Sequence, residues 1–119
     1  MSDFFFNFAD AEAGTHRQLA PGIDTQLFVG EQAMFSVVSF APGARGSVHE
    51  HAEEQWGVLL EGEGVRVQDG VEVPVGAGDF WRTPPGVAHG FIAGPQGAKV
   101  LDVFALPREA YRREGAGFS

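Results

Sequence analysis

The chain has 119 residues, of which 44% are hydrophobic, a formal net charge of −8 and no cysteine. This length predicts one domain over residues 1–119, with a core in about residues 15–107. The negative charge argues against nucleic acid or an anionic membrane as a partner. The lack of cysteine excludes disulfides and thiolate metal sites. Without an apolar run of membrane-spanning length or a signal peptide, we expect a cytoplasmic protein.

The predicted elements are short strands separated by turns. The 17 glycines and 7 prolines are spread along the chain, which is typical of tight turns between strands. Residues 3–8 are rich in phenylalanine and predict a strand that covers an apolar surface, with a second subunit as one candidate for that surface. Apolar and β-branched runs predict the remaining strands at 15–19, 25–29, 33–40, 48–51, 55–60, 65–67, 71–75, 79–83, 88–93 and 99–106.

The connections between these strands are predicted from their turn residues. Asp69-Gly70 between alternating valines is a strong hairpin signal. Residues 61–64 predict a second hairpin turn, and residues 94–97 a loop. Short helical turns are expected at 9–14 and 107–113. About ten antiparallel strands with almost no helix favour an all-β barrel or jelly roll.

Two histidines, His49 and His51, lie two residues apart. On a strand such residues point to the same face, where two neutral imidazoles can bind one divalent ion. Gln55 and Gly57 on the next strand are predicted to face the same side, and Gly57 to leave room beside the metal. The alternative is that both histidines are exposed at the edge of a loop.

The spacing around these histidines matches a known pair of motifs. The first pattern is glycine, five residues, His-x-His, three residues, glutamine, six residues and glycine. The second is glycine, five residues, proline, one residue, glycine, two residues and histidine. The residues concerned are Gly43, His49, His51, Gln55 and Gly62, then Gly78, Pro84, Gly86 and His89. Together they resemble the paired motifs of the cupin superfamily, although Gln55 replaces the usual glutamate and Ala93 the usual asparagine.

The resemblance implies a double-stranded β-helix, the cupin jelly-roll barrel, with one metal ion held by His49, His51, Gln55 and His89. A glutamine carbonyl is a neutral ligand, so the ion keeps its full positive charge. This favours Lewis-acid chemistry over stabilisation of an oxidised metal. We expect a divalent ion, with Ni, Zn, Mn, Fe and Co as candidates. The alternative is a cupin that binds no metal.

Residues 101–109, together with Glu54-Gln55, resemble the pectin-degradation cupins, which convert 4,5-unsaturated monouronates into linear keto forms. The resemblance implies that Asp102 and Phe104 are the catalytic pair and favours Arg108 as a carboxylate clamp. The residues themselves also single out Asp102, because an aspartate between apolar neighbours on a central strand needs a function or a partner. The alternative is a structural acid paired with Lys99 or an arginine.

Three further residues are candidates for substrate binding. Arg17 is the second choice for a carboxylate clamp, and Trp81 or Phe91 is expected to form a wall of a sugar pocket. The predicted function is a metal-dependent reaction of lyase or isomerase type on a small anionic sugar acid. The alternatives are a metal-dependent dioxygenase or other redox cupin, and a non-catalytic ligand-binding cupin. Outward apolar residues of strand 55–60 predict a homodimer.

Overall fold

Two long antiparallel strands, β4 (Glu54–Gln68) and β7 (His89–Ala105), form the centre of the fold and pair along most of their length. The computed structural model describes residues 4–112 and 115–118. Within these ranges the other strands are β1 (Thr15–Ala20), β2 (Ile23–Val29), β3 (Met34–Phe40), β5 (Val71–Gly76), β6 (Phe80–Thr83) and β8 (Gly115–Ala116).

The strands are joined in the order β5-β4-β7-β3-β2-β1-β8, and β6 pairs with β4. The pairs are antiparallel except for β1 and β8, which run parallel. A 3₁₀ turn at Glu109–Arg112 lies where a helical turn is predicted, and residue 113 lies outside the described residues. In the described part of the chain, no helix is long and apolar enough to cross a membrane.

Bulges let β4 and β7 continue where the sequence suggests turns. The register of β4 against β7 shifts twice within residues 59–64. Gly62 has a φ of 85°, and a Cβ there would collide with the carbonyl oxygen of Gly97. The two backbones therefore approach each other at a point where only glycine fits. The predicted hairpin turn at 61–64 and the predicted loop at 94–97 are wrong, since both segments lie inside strands.

These bulges also change which side chains of β4 face the interior. Before them, Gln55, Gly57 and Leu59 are buried, as the alternation predicts. After them, Arg66 is buried, and its neighbours Val65 and Val67 are only half-buried. An extra residue in one strand reverses the alternation that follows it. A guanidinium thus enters the interior at a point where the sequence suggests valine.

The hairpin predicted at Asp69-Gly70 is confirmed. It joins β4 to β5, and Gln68 pairs with Val71 across it. Asp69 and Gly70 have φ values of 52° and 78°, the combination that a two-residue hairpin turn of type I′ requires.

The aromatic segment at the start of the described chain is not a strand. Residues 4–8 form turns and irregular backbone, and the side chains of Phe4 and Phe5 are largely exposed. The Phe6 ring contacts the ring of Phe28 on β2, with 5.2 Å between centroids. The predicted strand is therefore wrong for residues 4–8, and Asp3 lies outside the described residues.

Two apolar clusters fill the interior on either side of a cavity. The larger contains Leu19, Ile23, Leu27, Met34, Val38, Phe104 and Tyr111, and the smaller contains Leu59, Phe91, Ala93 and Val100. Members of both clusters line the cavity. The cavity thus lies inside the sheet, with apolar walls from both halves.

Candidate active site

The three motif histidines come from two neighbouring segments. His89 begins β7. His49 lies on an extended segment that is not a regular strand, contrary to the prediction for 48–51. This segment pairs with β7 through two isolated bridges, one of them between His49 and His89. The backbone amides of His49 and His89 each donate to the other's carbonyl oxygen at 2.9 Å. Their rings lie 4.6 Å apart between centroids, and the His51 ring lies 4.9 Å from that of His89.

Backbone carbonyls fix the orientation of all three rings. Each Nδ1–H donates to a carbonyl oxygen two residues away, from His49 to Ser47 at 2.9 Å, from His51 to Glu53 at 3.0 Å and from His89 to Val87 at 2.9 Å. These contacts assign the proton to Nδ1 and leave each Nε2 with a free lone pair. The ligand atoms of the three histidines lie within 4.8 Å of one another.

The surroundings favour neutral imidazoles. Burial lowers the pKa of His49 and His51 below their usual value, and the positive charge of Arg108 lowers both further. Burial lowers the pKa of His89 to about 3. Neutral histidine is the form that binds a metal ion, so the three rings need no proton loss at neutral pH to act as ligands.

Gln55 adds an oxygen to this cluster. Its Oε1 lies 2.9 Å from Nε2 of His51, although both atoms carry lone pairs in this tautomer. The Nε2 atom of His89 is buried and has no hydrogen-bond partner. A cation between these atoms satisfies all of them at once. The three histidines and Gln55 therefore fit a divalent metal ion, whose usual ligands in such sites are imidazole nitrogen and oxygen.

The cavity beside these residues has a volume of about 40 Å³, measured as space open to the centre of a water molecule. Such a space holds about three waters. The Phe118 ring stands at its edge, 4.7 Å from the His49 ring between centroids. The Tyr111 hydroxyl donates to the carbonyl oxygen of Phe118 at 3.3 Å. Phe118 therefore limits the size of the cavity.

Asp102 of β7 lines the same cavity. Its Oδ1 atom is enclosed and has no hydrogen-bond partner. Burial raises the pKa of Asp102 from its usual 3.8 to about 6, against the opposing effects of Arg66, Gln55 and Arg108. No ion pair joins Asp102 to Lys99 or an arginine within residues 4–112 and 115–118. The ion pair that the structural alternative requires is therefore not formed in these ranges.

Gly57 makes room for Asp102 rather than for the metal site. A Cβ at this position would collide with Nε1 of Trp81 and would lie 2.9 Å from Oδ1 of Asp102. Nε1 of Trp81 is also buried without a hydrogen-bond partner. The expectation that Gly57 leaves space beside the metal is therefore corrected, since the space is taken by an indole and a carboxylate.

Phe104 and Arg108 complete the wall next to His51. The Phe104 ring meets the His51 ring edge-on, with 5.5 Å between centroids. Cζ of Arg108 lies 5.7 Å from the Phe104 ring and 4.5 Å from the Tyr111 ring. Nη1 of Arg108 is buried without a hydrogen-bond partner, and Nε is 4.0 Å from a carboxylate oxygen of Glu53. This guanidinium lines the cavity and keeps a free donor.

Residues 36–104 match the family described as the Cupin domain. The chain belongs to the cupin family. It is similar to an RmlC-like cupin from Shewanella frigidimarina, at 30% identity and a TM-score of 0.81 over 92% of this chain and 96% of that one. It is also similar to KdgF from Halomonas sp., at 25% identity and a TM-score of 0.79 over 92% and 98%. The predicted jelly-roll fold and the resemblance to cupins are confirmed, and the structural similarity includes KdgF.

Two curated enzymes are similar to parts of this cupin. Dimethylsulfoniopropionate lyase DddW from Ruegeria pomeroyi is 32% identical over 72 residues, which are 60% of this chain and 47% of the lyase. Oxalate decarboxylase OxdC from Bacillus subtilis is 30% identical over 115 residues, which are 87% of this chain and 29% of the decarboxylase. The chain thus spans less than half the length of either curated relative.

Two of the predicted substrate-binding residues do not line the cavity of this cupin. Arg17 donates from Nε, Nη1 and Nη2 to the carbonyl oxygens of residues 117, 110 and 116. Its guanidinium holds the chain around β8 and does not line the cavity. Trp81 stands behind the cavity wall, stacked on Phe91 with 6.2 Å between centroids. Phe91 does line the cavity, as expected.

The cavity also contains residues that the sequence did not single out, namely Arg66, Tyr111 and Phe118. The sequence did not point to Arg66, because an unbroken alternation of side chains along β4 places Arg66 on the outer face of the sheet. Tyr111 is the one tyrosine in the chain, and burial raises its pKa to about 12. It lies in a 3₁₀ turn, where residue spacing does not show which side chain points inward.

Proposed function

We propose that this cupin is a metal-dependent enzyme that opens and ketonises 4,5-unsaturated monouronates from pectin or alginate breakdown. The observation that carries the proposal is the buried carboxylate of Asp102, whose Oδ1 has no hydrogen-bond partner. It lies in one cavity with two of the three clustered histidines, His49 and His89, and two arginines. The similarity to KdgF over 92% of this chain and 98% of that one supports it. So does the resemblance of residues 101–109 to the pectin-degradation cupins.

His49, His51, His89 and Gln55 are proposed to hold one divalent ion, with Ni, Zn, Mn, Fe and Co as candidates. A bound ion of this kind polarises a substrate oxygen and stabilises the negative charge that develops on it. Because all four ligands are neutral, they do not reduce the positive charge of the bound ion.

Asp102 is proposed to move the proton. Its carboxylate accepts the proton of the anomeric hydroxyl while the aldehyde forms at C1 and the bond between C1 and the ring oxygen breaks, which leaves an enolate oxygen on C5. The same carboxyl group then returns the proton to C4, and the enolate becomes a ketone. One proton leaves oxygen and one is added to carbon, so the reaction is an isomerisation without a co-reactant. A carboxyl pKa near 6 suits both halves of this transfer at neutral pH.

Phe104 and Arg108 are proposed to position the substrate. The apolar ring of Phe104 excludes water from the side next to His51, and the free donor of Arg108 binds the uronate carboxylate. A monouronate is larger than the cavity of about 40 Å³, so the proposal requires Phe118 to move away from the His49 ring when substrate enters.

The test uses purified protein loaded with each candidate metal in turn. The substrate is an unsaturated monouronate, whose conjugated double bond absorbs in the ultraviolet and is lost on ketonisation. We expect an increase over the spontaneous rate for the wild type and none for Asp102→Asn. Glu72→Gln, which removes an exposed acid of β5, is the matched control and should retain full activity. An Asp102→Asn protein with undiminished activity contradicts the assignment.

A second candidate is a redox cupin acting on a small dicarboxylate. The cavity of about 40 Å³ favours this candidate, because its size is closer to that of a small dicarboxylate than to that of a monouronate. The similarity to oxalate decarboxylase over 87% of this chain also favours it. Oxygen consumption or carbon dioxide release from oxalate by the iron- or manganese-loaded protein distinguishes this reaction. Saturable binding of either acid without any product indicates the non-catalytic alternative.

We also propose a homodimer formed through the outer face of the sheet. Trp56 and Phe80 expose apolar side chains on neighbouring strands, next to Leu101 and Val103 of β7 in one apolar groove. Sedimentation velocity tests this, and a Trp56→Glu variant should shift the protein to monomer.

A further inference from the structure

Arg66 of β4 is a second arginine in the cavity wall. Its side chain is only 5% exposed, and it lines the cavity together with His89, Asp102 and Arg108. The bulges within residues 59–64 turn it inward. Neither sequence motif includes it.

Neutral groups hold the Arg66 guanidinium in place. Nη2 donates to Oγ1 of Thr83 at 2.8 Å, and Nε donates to Oε1 of Gln68 at 3.3 Å. Thr83 itself donates to the same oxygen of Gln68 at 2.7 Å, and the Gln68 amide donates to the carbonyl of Arg82. Cζ lies 5.2 Å from the Trp81 ring. These contacts restrict the side-chain rotamer, so the guanidinium is oriented before any ligand arrives.

No ion pair among the described residues neutralises this guanidinium. Within the described ranges, no carboxylate oxygen lies within 4.0 Å of it. Asp102 is close enough for the Arg66 charge to lower its pKa, but the two side chains do not form an ion pair. Burying a charge without a partner is costly. A protein with a net charge of −8 nevertheless places two arginines, Arg66 and Arg108, around one small cavity.

We propose that Arg66 binds a carboxylate of the substrate and makes the pocket selective for acids over uncharged sugars. This deepens the proposed function, because it assigns the recognition of the acid group to a residue outside both motifs. A carboxylate has enough lone pairs to accept from Arg66 and Arg108 together. The ligand then supplies a second negative charge, beside that of Asp102, for the two guanidiniums of the cavity.

The experiment measures binding of unreactive acids to the metal-loaded protein by calorimetry. Galacturonate and glycolate are the probes, and galactose and ethylene glycol are their uncharged counterparts. We expect each acid to bind at least tenfold more tightly than its counterpart. Arg66→Gln should lose at least tenfold in affinity for both acids, and Arg66→Lys should recover part of it. Arg82→Gln, on the exposed face of β6, is the matched control and should bind as the wild type does.

A second variant separates recognition from folding. Arg66→Met keeps an apolar stem against Trp81 and removes the buried charge. We expect it to unfold at the same temperature as the wild type or higher, with the same metal content and weakened acid binding. Wild-type acid affinity in a folded Arg66→Gln or Arg66→Met protein overturns the inference, as does wild-type protein that binds neither acid better than its counterpart. Because these probes do not react, the binding result can be interpreted even if the protein fails to ketonise uronates.

Discussion

Replacing Asp102 by asparagine should change both turnover and the pH dependence of stability. Burial raises the pKa of this carboxyl from 3.8 to about 6 in the folded protein. Between these values the folded state binds the proton more tightly than the unfolded chain does. The contribution of Asp102 to stability is therefore greatest at low pH, and it decreases as the pH rises from about 4 to about 6. A shift of about two units corresponds to roughly 3 kcal/mol.

Urea unfolding of both proteins between pH 4 and pH 8 measures this effect. Metal is first removed with a chelator, so that the charge of an ion does not contribute. We expect the free energy of unfolding of Asp102→Asn, minus that of the wild type, to increase by up to about 3 kcal/mol across the interval. The histidines titrate in both proteins, so their contribution cancels. A pH-independent difference, or one of opposite sign, refutes the reasoning. Glu72→Gln should show no such trend.

Three other substitutions test separate parts of the pocket. Gln55→Glu adds a negative charge to the ligand set and should tighten divalent metal binding at least tenfold in a chelator competition; equal or weaker binding argues against Gln55 as a ligand. Gly57→Ala should cost about 1–3 kcal/mol in urea unfolding, because its Cβ collides with Trp81 and approaches Asp102; an unchanged midpoint contradicts that packing. Phe118→Ala should lower KM for the unsaturated uronate more than it changes kcat, whereas an unchanged KM shows that Phe118 does not obstruct entry.

The sequence was most informative where local spacing determines geometry. His49 and His51 are two residues apart on an extended backbone, and the structure brings their ligand atoms together with that of His89. The alternation of Gln55, Gly57 and Leu59 predicts their inward direction correctly. The Asp69-Gly70 hairpin follows from the positive φ that its two residues tolerate.

The features that the sequence did not reveal depend on contacts between distant segments. Gly62 predicts a turn from the sequence. In the structure it instead allows the backbone of residue 97 to approach β4, and the strand continues. That change of register carries Arg66 into the cavity. Phe118 reaches His49 because Arg17 holds the carbonyls of residues 110, 116 and 117. Neither effect leaves a periodic pattern in the chain.

The central claim is that three imidazoles and one amide oxygen bind one divalent ion. Anomalous diffraction from crystals equilibrated with zinc, nickel or manganese tests it most directly. The account predicts a single peak about 2.0–2.2 Å from Nε2 of His49, His51 and His89, with Oε1 of Gln55 as the fourth ligand. A map with no peak at this point for any of the metals, or with the ion on other side chains, contradicts it.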